Sequence, residues 1–329
     1  MAATSNRVER PTPSSVSPSS SIEEIQYPSV ITIDNHRACN AMCRMCPTQN
    51  VSLTSGLMSD QVFDALASQV SEFAAKLSFV QFGVHGEPLL DKALESRIRR
   101  LVDSGIRNVW VATNGSAMTS ARAEKFLAAG TEALIFSVDG IRRETYERIR
   151  IGLKYDVVVN NVLSFIKLRN QLGAPTRVVL RFISQSLNKD EYEEWATFWT
   201  GVLDSRRDSL HHVQMHNWAF SIPNIDGYGN TPCSDVLEGV LVSADGRVPL
   251  CCLDFDGEYD FGNILRTHIL DIFNSTYRRG IQRIHREGKR ASLKKCDRCY
   301  LPEYNKDEKA TEPYYKALEN TLSWNEAPE

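Results

Sequence analysis

Residues 29–46 read "SVITIDNHRACNAMCRMC", and the reading of this stretch decides the fold. Its first six residues have the β-branched content and polar exit of a buried strand. Directly behind them Cys39, Cys43 and Cys46 fall in a C-x3-C-x2-C spacing. Working outward, strand-like and helix-like segments alternate. Further strands are expected at 77–84, 108–113, 132–139, 176–184 and 212–218, and helices at 59–73, 91–105, 120–130, 142–150, 155–171 and 190–203. In the first helix Val62, Phe63, Leu66, Val70 and Phe73 recur at helical spacing behind Ser59 or Asp60 as cap. About six β/α units in succession predict an α/β protein, a partial (β/α)6 barrel of the TIM type. Active sites of such barrels form at the C-terminal ends of the strands, which is where the three thiols stand.

The alternation breaks at 221–235, rich in Gly, Pro and Asn. Beyond it "GVLVSADGRVPLCC" (239–252) reads as a hairpin turning at Asp245-Gly246. A helix is expected near 268–285, followed by "KKCDRCY" (294–300). This second region has little apolar content and is expected to need a metal to hold it together. The chain thus divides into a disordered lead-in (1–28), a core barrel (29–220), a small C-terminal α+β domain (221–305) and a tail (306–329).

Composition sets the outer limits. The chain has 329 residues and a net charge of −3, which leaves no basic footprint for nucleic acid. It has no apolar run of about 18 residues to span a membrane. The N-terminus "MAATSNRVERPTPSSVSPSSS" lacks the apolar centre of a signal peptide. A cytoplasmic location with reduced thiols is therefore expected, and metal ligation accounts for the eight cysteines better than disulfides do.

Thiolates suit zinc or iron–sulfur clusters. A closed zinc site needs four ligands, and the first group supplies three, with His36 as a conceivable fourth. Alternatively, three thiolates hold three irons of a [4Fe–4S] cube and leave the fourth open to a substrate or cofactor. The other cysteines are Cys233, Cys251, Cys252, Cys296 and Cys299. Four of these, Cys252 excepted, would serve a zinc ribbon equally well by spacing.

The C-x3-C-x2-C motif after a first barrel strand resembles the radical S-adenosylmethionine (SAM) superfamily, and the likeness runs over about residues 29–303. "FGVHGEPLLD" (82–91) resembles the family's Gly-Gly-Glu-Pro segment, with His85 in place of the first glycine. The resemblance implies that Gly86, Glu87 and Pro88 bind the methionine amino group. "ATNG" (112–115) and "SVDG" (137–140) match strand ends that hold ribose and carboxylate, which puts Asn114, Ser137 and Asp139 among the SAM contacts. Met45 stands where the family places a residue against adenine, and Arg181 is a further candidate for the carboxylate. The implied chemistry is reductive cleavage of SAM to methionine and a 5′-deoxyadenosyl radical, which takes a hydrogen atom from an unactivated carbon.

In that context C…G-x4-C…C-x2-C, made of Cys233, Cys251, Cys296 and Cys299 with Gly246, resembles the SPASM extension that binds an auxiliary [4Fe–4S] cluster. "FGNILRTHILDIFNS" (261–275) matches a segment of the same extension. No cysteine follows Cys299, so one auxiliary cluster is expected, the shortened or twitch form. Cys252 is left over. As a bystander it packs as a small hydrophobe; as a functional group it would donate a hydrogen atom to a substrate radical. Arg278 to Arg298 holds nine Lys or Arg against two acidic residues, which reads as a solvated helix face or a dock for an acidic reductant. The remaining histidines, His211 and His212 among them, show no ligand spacing and read as structural or surface residues.

The expected function is oxidation of a small polar substrate such as a sugar or aminocyclitol, with the auxiliary cluster as electron acceptor. Epimerisation through Cys252, modification of a ribosomal peptide, and a non-catalytic iron–sulfur or zinc protein are the alternatives. The expected partners are a small-molecule or peptide substrate and an electron donor such as flavodoxin or ferredoxin.

Overall fold

The structure is a computed structural model that describes residues 24–46, 56–215 and 230–299. The N-terminal lead-in up to residue 23, the end of the strand expected at 212–218, most of the Gly/Pro-rich break and the C-terminal tail lie outside the described residues.

The core unit is an alternation of strands and helices. In chain order they are β1 (Val30–Ile33), β2 (Met42–Cys43), α1 (Asp60–Ser71), β3 (Phe79–Phe82), α2 (Leu94–Asp103), β4 (Val109–Thr113), α3 (Ser120–Ala129), β5 (Ala133–Ser137), α4 (Arg143–Ile149), β6 (Arg150–Ile151), α5 (Tyr155–Gln171), β7 (Arg177–Ser184), α6 (Tyr192–Thr200) and β8 (Ser209–Gln214). There follow α7 (Ser234–Glu238), β9 (Gly239–Val242), α8 (Ile269–Phe273) and α9 (Thr276–Arg286). Seven strands form one parallel sheet in the order β8-β7-β5-β4-β3-β1-β9, a partial barrel. Alternate strand residues face the helices: Ile31, Ile33, Val80, Phe82, Leu134, Phe136, Leu180 and Phe182 belong to one buried apolar core. The other set of each strand faces the inside of the curl. Helix ends follow local chemistry, as at α1, where the Ser59 side chain accepts the Val62 N–H at 3.3 Å.

Two expectations change. Gly239–Val242 is no hairpin arm. It pairs in parallel with β1 (Val30↔Gly239 to Ile33↔Val242) and extends the sheet as its seventh strand. The turn at Asp245-Gly246 does form, closed by the Ser243 N–H to the Arg247 carbonyl at 2.9 Å, with Gly246 at φ +83°. The strand before it, however, buries Val240 and Val242 in the barrel core. The single helix near 268–285 is two, broken at Asn274-Ser275. There the Ser275 hydroxyl caps α9 by accepting the Arg278 N–H, while the Asn274 side chain donates to the Leu270 and Gln26 carbonyls.

Candidate active site and auxiliary metal centre

The three-cysteine loop leaves β1 at its C-terminal end and is held on two sides. On one, β2 pairs antiparallel with β6, setting Cys43 opposite Arg150. Arg150 donates to the Asp139 carboxylate (Nε–Oδ2, 2.6 Å) and lies 3.5 Å from the Cys43 sulfur. Asp139 in turn accepts the Ile183 N–H at 2.7 Å, so the pair fastens the ends of β5 and β7 to the loop. On the other side Gly86 lies under the loop backbone. A Cβ there would sit 1.9 Å from the His36 carbonyl oxygen and 2.7 Å from that of Ala38. Glycine is needed for this close approach.

The carboxylate of Glu87 is saturated by its own surroundings. It accepts the Leu89 N–H (2.9 Å), the Thr113 hydroxyl (2.6 Å) and the Asn114 N–H (2.8 Å), while its own N–H donates to the Ala38 carbonyl (2.9 Å). Burial pushes its pKa up, opposed by those donors. Asn114 donates to Asn40 Oδ1 at 2.9 Å and stands 4.0 Å from the Cys39 sulfur. Glu87, Asn114 and Asp139 thus all bind the protein itself, and what they position is the cysteine loop. Pro88 opens the short turn that follows.

Cys43 and Met45 are buried with Ile149 and Met215, and Cys46, Ile183 and Leu187 pack against them. Ile183 comes from β7 and Met215 follows β8, so this apolar patch faces the inside of the sheet. Along that inner face Ser137 pairs with Arg181 and Arg181 with His211, one row across β5, β7 and β8. Asn114 stands one step beyond the Thr113↔Phe136 pair, at the near end of the same row. His211 is the residue that sequence spacing missed. Its partner lies thirty positions earlier on the next strand, and only the register reveals the pairing. His211 is exposed at the edge strand, and partial desolvation together with the Arg181 and His212 charges lowers its pKa, so its imidazole is neutral near pH 7.

Burial pushes the Cys39 thiol up to about 12, with the charges of Glu87, Cys43 and Cys46 adding to it. Burial raises Cys43 in the same way, and thiols so buried would ionise side by side only with a cation among them, which iron would supply. The His36 ring turns back on its own loop, accepting the Ala38 N–H at Nδ1 (3.1 Å).

The second group converges on one apolar space. Cys233, Cys251, Cys296 and Cys299 line one pocket, with Val236, His285, Arg290 and Lys295 among its walls. Burial and the neighbouring thiolates push Cys296 upward. Zinc would need the sulfurs about 2.3 Å from one point. Among the described residues no three His, Cys, Asp or Glu side chains are gathered closely enough to hold a single metal ion, and four thiols around one pocket suit a cluster that spans them. The chemistry of both donor sets therefore fits iron–sulfur clusters. Cys252 turns its sulfur to Asp235 Oδ2 (3.6 Å), and a hydrogen bond with Cys251 and burial hold its thiol protonated.

The two centres are joined at His85. Its ring is fully buried, with Nδ1 2.9 Å from Asp34 Oδ2 at the end of β1 and Nε2 2.7 Å from the Cys252 carbonyl. Phe255 packs on the ring at 4.4 Å between centroids. Burial would raise the Asp34 pKa, but the charges of His85 and Arg37 and the bonds from His85 outweigh it and hold the carboxyl below its ordinary value. The place where the motif departs from Gly-Gly-Glu-Pro is thus the latch between barrel and cysteine extension.

The charge run from Arg278 to Arg298 is not a uniformly solvated face. Arg278, Arg290 and Lys295 are buried, and Arg290 donates to the carbonyls of Cys296 (2.7 Å) and Cys299 (2.6 Å).

Comparison with known proteins agrees with this geometry. Residues 36–182 match the family model of the radical SAM superfamily, and residues 233–300 match that of SPASM, an iron-sulfur cluster-binding domain. A GTP 3′,8-cyclase of Stenotrophomonas maltophilia is 30% identical over 172 residues, 50% of this chain and 49% of that protein. The chain thus spans about half the length of the cyclase relatives it matches. The S-adenosyl-L-methionine-dependent 2-deoxy-scyllo-inosamine dehydrogenase of Niallia circulans is 22% identical over 275 residues, 82% of this chain and 92% of that one. Among solved structures, BtrN in complex with AdoMet and 2-DOIA superposes with a TM-score of 0.58 at 19% identity, covering 84% of this chain and 94% of BtrN. That likeness supports the fold.

Proposed function

The chain belongs to the radical SAM superfamily and carries a SPASM iron–sulfur cluster-binding domain, and from that premise we propose that it oxidises a secondary alcohol of a small polyol, most simply an aminocyclitol. Its cofactors are SAM and two iron–sulfur clusters. Together the reduced first cluster and SAM supply the means to take a hydrogen atom from an unactivated carbon, and the second cluster supplies an electron acceptor.

The protein's own residues do the rest. Cys39, Cys43 and Cys46 hold the open cluster, and Cys233, Cys251, Cys296 and Cys299 the closed one. Met45 offers the adenine an apolar wall, backed by Ile183 and Met215. Gly86, Glu87, Pro88, Asn114 and Asp139 keep the cysteine loop in place and would bound the site for SAM. Ser137 and Arg181, paired on the inner face, would hold the polar groups of SAM. His211 takes the hydroxyl proton once the carbon has lost its hydrogen atom, since its depressed pKa leaves the ring free to accept. The observation that carries this reading is a neutral histidine in the inner row beside Arg181, on the same face as the cysteine loop. The dehydrogenase relative, matched over most of both chains, supports the substrate class. The sulfur of Cys252 keeps company with Asp235 and Cys251, which favours oxidation over epimerisation.

Among the described residues no helix is long and apolar enough to cross a membrane. A cytoplasmic location and reduction by a flavodoxin or ferredoxin belong to the same proposal.

Ring-deuterated 2-deoxy-scyllo-inosamine is the first probe. Deuterium is expected in 5′-deoxyadenosine, with one ketone formed per label transferred. A redox-neutral inverted alcohol, or no transfer from any polyol, contradicts the proposal. With His211→Ala, deuterium transfer should persist while ketone formation falls about 100-fold.

A further inference from the structure

Helix α9 turns one face to the four-cysteine pocket. Ile281 is buried among Cys233, Cys296 and Val236, and His285, one turn on, lines the pocket itself. Arg278, one turn earlier, completes the stripe at i, i+3 and i+7. Both polar members of this stripe are fully buried.

Neither is fully satisfied among the described residues. The His285 Nδ1 accepts the Cys233 N–H at 3.3 Å, which leaves the ring proton on Nε2. That N–H is buried and has no partner among the described residues. The Arg278 guanidinium lies between the rings of Phe261 and Phe273, at 5.0 and 5.1 Å. Its Nη2 donates to the carbonyls of Gly239 (2.5 Å) and Val236 (3.4 Å), but Nε and Nη1 have no partner among the described residues. No carboxylate pairs with it among the described residues. Burial pushes its pKa down to about 10, opposed by the nearby sulfur of Cys251. A buried cation without a counter-charge and a buried donor without an acceptor are both costly. Both costs are lifted by one thing: an anionic, sulfur-rich body in the pocket that His285 lines together with Arg290 and Lys295, and behind whose wall residue Val236 the Arg278 guanidinium lies (Nη2 to the Val236 carbonyl, 3.4 Å). A cluster held by four thiolates is such a body, and positive charge and hydrogen bonds at its sulfurs raise its reduction potential.

We propose that Arg278 and His285 are the counter-charge and the hydrogen-bond donor of the auxiliary cluster, and that they raise its potential so that it accepts the substrate's electron. This rests on the reading that Cys233, Cys251, Cys296 and Cys299 hold a cluster; it does not depend on which alcohol is oxidised. Both are positioning residues that act through the cluster.

The test is a redox titration of the reconstituted full-length holoenzyme, followed by electron paramagnetic resonance without substrate. Arg278→Met and His285→Phe should each lower the midpoint potential of the auxiliary cluster and leave that of the SAM cluster unchanged. Arg278→Lys and His285→Gln, which keep a charge and a donor, should recover part of the shift. Unchanged potentials overturn the proposal. If Arg278→Met fails to retain the cluster, thermal melting of the iron-free proteins decides. The proposal expects the iron-free variant to melt at or above the wild-type temperature, because an uncompensated charge has been removed. An iron-free variant that melts clearly lower makes Arg278 a packing residue and overturns its role. A wild-type protein with iron for one cluster only overturns the cluster reading and the two donors with it.

Discussion

Replacing Cys39, Cys43 and Cys46 together with alanine is expected to abolish reductive cleavage of SAM and leave about four irons per chain where the wild type holds about eight. The two sites are built from separate parts. The first is a loop behind β1, pinned by β6 through the Cys43↔Arg150 pair and by Gly86 from below. The second draws on Cys233 beside α7, on Cys251, and on Cys296 and Cys299 beneath Arg290. None of the three loop cysteines lines the four-cysteine pocket. The two regions meet at the hydrogen bond from His85 to the Cys252 carbonyl, which the substitution leaves in place. Counting iron and sulfide after anaerobic reconstitution, with 5′-deoxyadenosine measured in parallel, checks the result. Loss of all iron would mean that the centres do not assemble independently.

Gly86→Ala should be nearly as damaging with every cysteine present. The new methyl would lie 1.9 Å from one backbone oxygen and 2.7 Å from another, and both belong to the chain leading into Cys39. Backbone atoms cannot swing aside as a side-chain tip does, so the loop must lift. Lifting it breaks the Glu87 N–H to Ala38 carbonyl bond of 2.9 Å. Strain of this kind costs about 1–3 kcal/mol, and the lost bond adds about 1 kcal/mol. Urea unfolding of the iron-free protein should show that loss, and reconstitution should fill the second site while leaving the first largely empty. Wild-type stability with full iron content would contradict the packing role given to Gly86.

Local chemistry made much of this legible in the sequence. Strand and helix periods gave β1, β3, β4, β5 and β7, and the thiols followed the strand end that a barrel uses. β9 escaped because "GVLV" before Asp245-Gly246 has the look of a hairpin arm. Its true partner, β1, is about two hundred residues away, and no turn signal carries that information. The hydrogen-bond partners of Glu87 and Asp139 were unreadable for another reason. A motif names the residue type, but whether a carboxylate is spent on Thr113, Asn114 or Arg150 depends on three strands meeting. His211 needed the β7–β8 register. Arg278 was partly readable: 278, 281 and 285 share one helical face with the apolar Ile281, which a plain count of charges over the run conceals.

The central claim is that the chain holds one open centre and one closed centre. Adding SAM to the reduced holoenzyme and recording electron paramagnetic resonance spectra tests it most directly. One of the two cluster signals should change on SAM addition, and that signal should be missing from the Cys39, Cys43 and Cys46 triple variant. The other should stay unchanged in both proteins. If both signals respond to SAM, or neither does, the contrast between a three-cysteine and a four-cysteine site is wrong.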